Sequence, residues 1–186
     1  MKRNNNRRDE ILLGIAISTM VELVFSFWFL NFGSQLQKVL ILSGALVLFF
    51  VAISGKQKVL EALQLVLVAG AALAFVKLPP LISLSIMLPI AILMVVYLYL
   101  IKHYRKEPIG TIGSLGFILF AIGLSFNTGS SPLITGLAIG SGALVITAYS
   151  ALAFVLYKIR LQLAWAVLNF LLAITPILLV ISIFGI

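Results

Sequence analysis

Long apolar runs alternate with short polar or Gly/Pro breaks along this chain, and that rhythm predicts its elements. The runs cover residues 11–30, 37–54, 59–77, 80–101, 110–127, 132–157 and 161–184. The breaks read NFGSQ, SGKQK, KLPP, KHYRKEP, NTGSSP and YKIR. A helix needs about 20 apolar residues to cross the hydrocarbon core, within a range of about 17–25. A strand outside a closed barrel would leave backbone groups unpaired in lipid, so helices are expected throughout. The pattern predicts an all-α polytopic membrane protein with seven transmembrane helices. Residues 1–10 read as a basic cytoplasmic tail and residues 11–186 as one seven-helix domain. The tail MKRNNNRRDE resembles a signal-peptide n-region, but no small-x-small cleavage site closes the run after it. A retained first span is the expectation.

Composition strengthens this reading. The chain is 62% hydrophobic and 10% charged, with a mean hydropathy of +1.23. Soluble domains run about 45–50% apolar and about 25% charged, and a chain of this length has no interior large enough to hide the difference. Cysteine is absent, which removes disulfides and thiolate metal sites.

The net charge of +8 changes the picture through its placement. Lys2, Arg3, Arg7 and Arg8 lie in the tail, and Lys56, Lys58, Lys102, Arg105, Lys106, Lys158 and Arg160 lie in alternate breaks. Eleven of the 13 basic residues therefore fall on one side of a seven-span fold, with Lys38 and Lys77 on the other. By the positive-inside rule, the N-terminus is cytoplasmic and the C-terminus outside, as expected for a multi-pass protein of the cell membrane. Anionic lipids are the expected partner of these clusters at the inner face. No aromatic-basic interleaving of the kind that stacks bases occurs, so no nucleic acid partner is expected.

Two stretches look alike. NFGSQLQKVLILSGALV (Asn31 to Val47) and NTGSSPLITGLAIGSGALV (Asn127 to Val145) both carry N-x-G-S followed by S-G-A-L-V. The offset is 96 residues at Asn31/Asn127 and 98 at Ser43/Ser141, and each copy leads to a basic break, GKQK or YKIR. A four-span offset preserves direction, so residues 11–77 and 110–184 read as parallel three-helix repeats joined by the fourth span, a 3+1+3 plan. That plan is similar to the architecture of sugar-exporting SWEET proteins. The Pro-Gln dipeptide of that family is missing, so no residue role carries over.

Polar residues inside the spans are the candidate chemistry. Glu22 is the one acid well inside a run, with Ser18, Thr19 and Ser26 within four residues of it. A mid-bilayer carboxyl costs about 2.5–3.5 kcal/mol on insertion scales and normally faces the bundle interior. These four residues are therefore expected to form an interior solute or ion site. Gln162, Asn169 and Pro176 repeat every seven residues along the last span, and Gln162 and Asn169 join that set. Asn31 and Asn127 are candidate caps or vestibule residues beside Gly33 and Gly129. Pro89 and Pro176 sit mid-span, where each removes a helix hydrogen bond and makes a candidate hinge. Gly113, Gly116 and Gly123, with Gly136 and Gly140, read as close-packing positions.

The single histidine, His103, lies in a basic break. There is no paired-carboxylate set and no Ser-His-Asp set, so neither an enzyme nor a metal or cofactor site is expected. Two functions remain in view: a small-solute transporter or channel, and an accessory subunit of a larger membrane complex or homo-oligomer.

Overall fold

A computed structural model describes residues 2–29, 34–76, 78–126 and 132–184. Among them are eight helices and no strand: α1 (Lys2–Phe29), α2 (Gln35–Ser54), α3 (Lys58–Leu73), α4 (Pro80–Leu100), α5 (His103–Lys106), α6 (Gly110–Phe126), α7 (Pro132–Tyr157) and α8 (Arg160–Phe184). Seven of these overlap the apolar runs, α1 extending back through the basic tail to Lys2, and α5 is a short addition within KHYRKEP. Three of them are long and apolar enough to cross a membrane: Gln35–Ser54, Pro80–Leu100 and the Leu133–Tyr157 stretch of α7. Asn31 and Asn127, with Gly33 and Gly129, lie outside the described residues.

Helix α3 ends earlier than its apolar run. Past Leu73 the backbone tightens into i→i−3 bonds, Phe75 N–H to Ala72 O and Val76 N–H to Leu73 O. Pro79 and Pro80 follow, and a residue before proline is pushed out of the α region. Helix α4 runs unbroken through Pro89, which is exposed, and α8 through Pro176, which is buried.

Packing follows the apolar spacing. Helix α1 turns Ala16, Thr19, Met20, Leu23 and Ser26 inward, a stripe at helical i, i+3, i+4 intervals. Helix α2 buries Gln37, Gly44, Ala45, Leu48, Val51 and Ala52. The helices α1, α2, α3, α6, α7 and α8 each pack on the next, and α8 returns to α1 to close the circuit. Helix α4 stands outside it against α3 and α6. It buries Ser83, Met87, Ala91 and Leu98 and leaves most of its apolar surface uncovered.

Small residues set the closest approaches. A Cβ on Gly44 of α2 would lie 2.7 Å from Leu23 of α1, and one on Gly142 of α7 would lie 3.2 Å from Leu119 of α6. Gly44 and Gly142 are the glycines of the two S-G-A-L-V segments, and Leu23 and Leu119 are 96 residues apart. The serines before them match as well: Ser43 and Ser141 face outward and bond their own helices at Leu40 O and Leu137 O.

The helices α2, α4 and α7 stop alike. Just after each comes a lysine in the left-handed region: Lys56 at φ 56°, Lys102 at φ 56° and Lys158 at φ 57°. After α2 the bonds Lys56 N–H to Ile53 O and Gln57 N–H to Ala52 O make a Schellman end. After α7 the single bond from Lys158 N–H to Phe154 O makes the simpler αL end. A cation there also suits the negative end of the helix dipole. Arg8 of α1 joins this end of the bundle by donating to Ser54 O at 2.9 Å.

Candidate functional site

Buried polar side chains gather at the basic end, where α2, α4 and α7 finish and α3, α6 and α8 begin. Tyr149, fully buried on α7 and seated against Gly113 of α6, donates its hydroxyl to Glu107 Oε1 at 2.7 Å. Glu107 follows α5, and His103 Nε2 stands 3.2 Å from its other oxygen. The imidazole N–H is not directed at that oxygen. Gln162 of α8 donates from Nε2 to Gln57 Oε1 at 2.6 Å and lies within hydrogen-bonding reach of the Tyr149 hydroxyl. Gln57 is the residue preceding α3. Because α3 and α8 stand on opposite sides of the helix circuit, this bond spans its interior at the basic end.

Beside this chain of bonds, Tyr104 Oη and Ser114 Oγ meet at 2.6 Å, and Ser114 donates to Gly110 O. Burial pushes the Tyr104 phenol above its ordinary value, and the Ser114 hydrogen bond opposes that shift. Lys58 and Glu61 pair at 2.7 Å in the first turn of α3. The hydrogen bond to Glu61 raises the lysine, and burial works against it.

Four further buried polar atoms lie close to this end: Gln64 Oε1, Ser150 Oγ, Gln162 Oε1 and Trp165 Nε1. None has a hydrogen-bond partner among the described residues. Buried polar groups are nearly always paired, so four orphans in one zone call for an explanation. At 1.5 Å rise per residue, all four lie within about 11 Å of the ends of α3, α7 and α8. The zone offers three acceptor-capable oxygens and two donors, the Trp165 N–H and the Ser150 hydroxyl, with no charged group among the four.

The structure divides the residues expected to form the site. Gln162 falls within this zone. Asn169 is buried on the same stripe, but its amide donates to Trp165 O one turn back. Thr19 and Ser26 point inward and bond Ile15 O and Leu23 O of their own helix. Glu22 and Ser18 do not join them, because both are exposed. The correction has a geometric cause. Thr19 and Ser26 border the inward stripe centred on Leu23, while Ser18 and Glu22 sit on its exposed outer flank. Gly14, one turn before Ser18, is open as well, with nothing within 4 Å of a Cβ built on it.

The sequence reading missed Gln57 and Glu107. Glu107 was legible as the lone acid of a basic break, one helical turn after the only histidine. Gln57 carried no signal, since its partner lies 105 residues away.

Comparison with family models, with curated proteins and with solved structures returned no match.

Proposed function

We propose that the chain is a multi-pass membrane protein that passes a small uncharged solute rich in hydroxyl or amide groups. In this reading the seven long helices all cross the bilayer, with the basic end cytoplasmic. The observation that carries the proposal is the group of four unpaired buried polar atoms on Gln64, Ser150, Gln162 and Trp165, toward the end of the bundle where Gln162 bonds Gln57. A polar solute would satisfy what the protein leaves open, and breaking the Gln57–Gln162 bond would open the basic end. Pro89 and Pro176 are the candidate hinges for that motion.

A plan of two parallel repeats belongs to this reading. Exchanging α1–α3 for α6–α8 turns the α3–α6 contact into α8–α1, and both contacts exist. The same exchange carries Gly44 on Leu23 into Gly142 on Leu119. It also carries Lys56 into Lys158, two lysines of matching φ. Helix α7 is six residues longer than α2, at 26 against 20. The offset grows by the same amount, from 96 at Asn31/Asn127 to 102 at Lys56/Lys158.

The test is stopped-flow light scattering of proteoliposomes under a glycerol gradient. Wild type should re-swell faster than empty vesicles, Gln162→Leu should change that rate several-fold, and Glu22→Gln should leave it alone. Wild-type rates in Gln162→Leu would remove the proposed site.

A second reading, as a subunit of a membrane assembly, is favoured by one observation: Gly14, Ser18 and Glu22 form an exposed stripe on α1. A carboxyl facing lipid is costly, and a partner helix would relieve that cost. The mass of the complex extracted in mild detergent distinguishes the two readings.

A further inference from the structure

At the foot of α4 a cleft of about 350 Å³ opens among Tyr99, Leu100, Lys102, Tyr104 and Arg105. Its composition differs from that of the buried polar zone: two cations, two aromatic walls and one leucine. Neither Lys102 nor Arg105 is paired with a carboxylate among the described residues. The nearest acid in the chain, Glu107, is engaged by Tyr149 and stands beside His103. The Tyr104 hydroxyl is committed to Ser114, so its ring serves as a wall. The left-handed turn at Lys102 breaks the chain between α4 and α5 and brings Lys102 and Arg105 to one opening.

An apolar track leads into this opening. Leu93, Val96 and Leu100 lie on one face of α4, spaced three and four residues apart, and are 60%, 44% and 69% exposed. Leu100 belongs to both the track and the cleft. A ligand that fits would carry a negative head and an extended apolar tail.

We propose that this cleft holds the phosphate headgroup of an anionic phospholipid, with one acyl chain laid along Leu93, Val96 and Leu100. The Arg105 guanidinium presents a planar donor fork matched to phosphate oxygens, Lys102 adds a second charge, and Tyr99, in the last turn of α4, is of the residue type that favours the interface. The proposal rests on the reading of α4 as membrane-embedded and is independent of solute passage.

Native mass spectrometry of the delipidated full chain in detergent tests it. Phosphatidylglycerol, phosphatidylcholine and glycerol 3-phosphate are titrated separately against wild type, Arg105→Gln, Lys102→Gln/Arg105→Gln and Arg160→Gln. Arg160 is an exposed cation of the same end outside the cleft, so its variant controls for charge alone.

One phosphatidylglycerol per chain should persist on wild type and outlast phosphatidylcholine. The double variant should bind it about 30-fold more weakly, from the usual surface contribution of two basic residues. Arg160→Gln should stay within about twofold, since surface attraction falls off within a Debye length. If the double variant does not fold, Arg105→Gln, a change at an exposed side chain, decides with about a fivefold loss. Equal losses in Arg160→Gln and in the cleft variants would overturn the site in favour of diffuse attraction. Glycerol 3-phosphate binding as tightly as the lipid would overturn the lipid as occupant in favour of a soluble phosphate.

Discussion

The helices α6 and α7 meet differently from α1 and α2, although the two pairs occupy matching places in the circuit. At the α6–α7 contact, Cβ atoms added at Gly116 and Gly123 would lie 2.6 and 2.5 Å from Ile146 and Ile139, and one at Gly142 would lie 3.0 Å from the Gly116 carbonyl oxygen. Backbone lies against backbone there. At the α1–α2 contact, the glycine Gly44 meets only the side chain of Leu23. The second pair is therefore fixed in part by backbone atoms that cannot turn aside, while the first is held by a side chain, whose Cδ2 and Cγ an added Cβ would meet at 2.7 and 2.8 Å. Two equally apolar contacts can thus differ in whether backbone or side chain fixes them.

The largest expected effect tests that difference directly. Gly142→Ala forces its methyl against the Gly116 carbonyl and the Phe120 N–H, 3.0 and 3.2 Å away. Overpacking of this kind costs about 1–3 kcal/mol. Gly44→Ala would meet Cδ2 and Cγ of the buried Leu23 at 2.7 and 2.8 Å, so that side chain must repack, but no backbone need move, and the better helix propensity of alanine returns up to about 1 kcal/mol. Thermal melts in one detergent should show a clear fall for Gly142→Ala and a smaller one for Gly44→Ala. A fall for Gly44→Ala as large as that for Gly142→Ala would break the contrast.

Next in size is the polar chain at the basic end, to which the two halves contribute unequally. The second supplies Tyr149 and Gln162, the first only Gln57. Tyr149→Phe removes the donor to Glu107 Oε1 and leaves a carboxylate oxygen unpaired in a half-buried setting. Stranding such a group costs about 1–3 kcal/mol, more when charged. Gln57→Leu strands one N–H of Gln162, a neutral donor with another hydroxyl within reach, so its cost should fall near the lower bound. Melts of the two variants should rank Tyr149→Phe well below Gln57→Leu. The reverse order would mean that the carboxylate is satisfied from elsewhere, with His103 at 3.2 Å the first suspect.

The sequence located the helices well because apolar runs and their breaks determine where a helix can start and stop. It was blind to which way each helix faces. On α1 the flank bearing Ser18 and Glu22 is otherwise as apolar as the inward stripe, since both lipid and bundle interior accept Ile, Leu and Val. Periodicity therefore cannot separate them, and polar content suggested the wrong flank for Glu22. The stripe on α8 was legible because Gln162, Asn169 and Pro176 recur at seven residues, and all three are buried. The polar zone was hidden for another reason: Gln57–Gln162 and Glu107–Tyr149 join residues 105 and 42 positions apart, distances that no local pattern encodes. The close approach of Gly142 to Gly116 was half legible, as small residues without a stated neighbour.

The smallest effect bears on how deep the likeness between the halves runs. Lys56 and Lys158 each hold φ near 57°, a region that costs a side-chain-bearing residue about 1–2 kcal/mol relative to glycine. Each lysine also gains about 0.3–1 kcal/mol from the negative helix end it follows. Lys56→Gly and Lys158→Gly should therefore each raise stability slightly, by at most about 1 kcal/mol. The two ends are built differently, by two bonds after α2 and one after α7, yet both relieve the same backbone strain. If the halves are copies, the two melting shifts should agree in sign and nearly in size. Opposite signs would mean that one lysine serves a contact the other lacks, and the equivalence would then stop at the helices and exclude their ends.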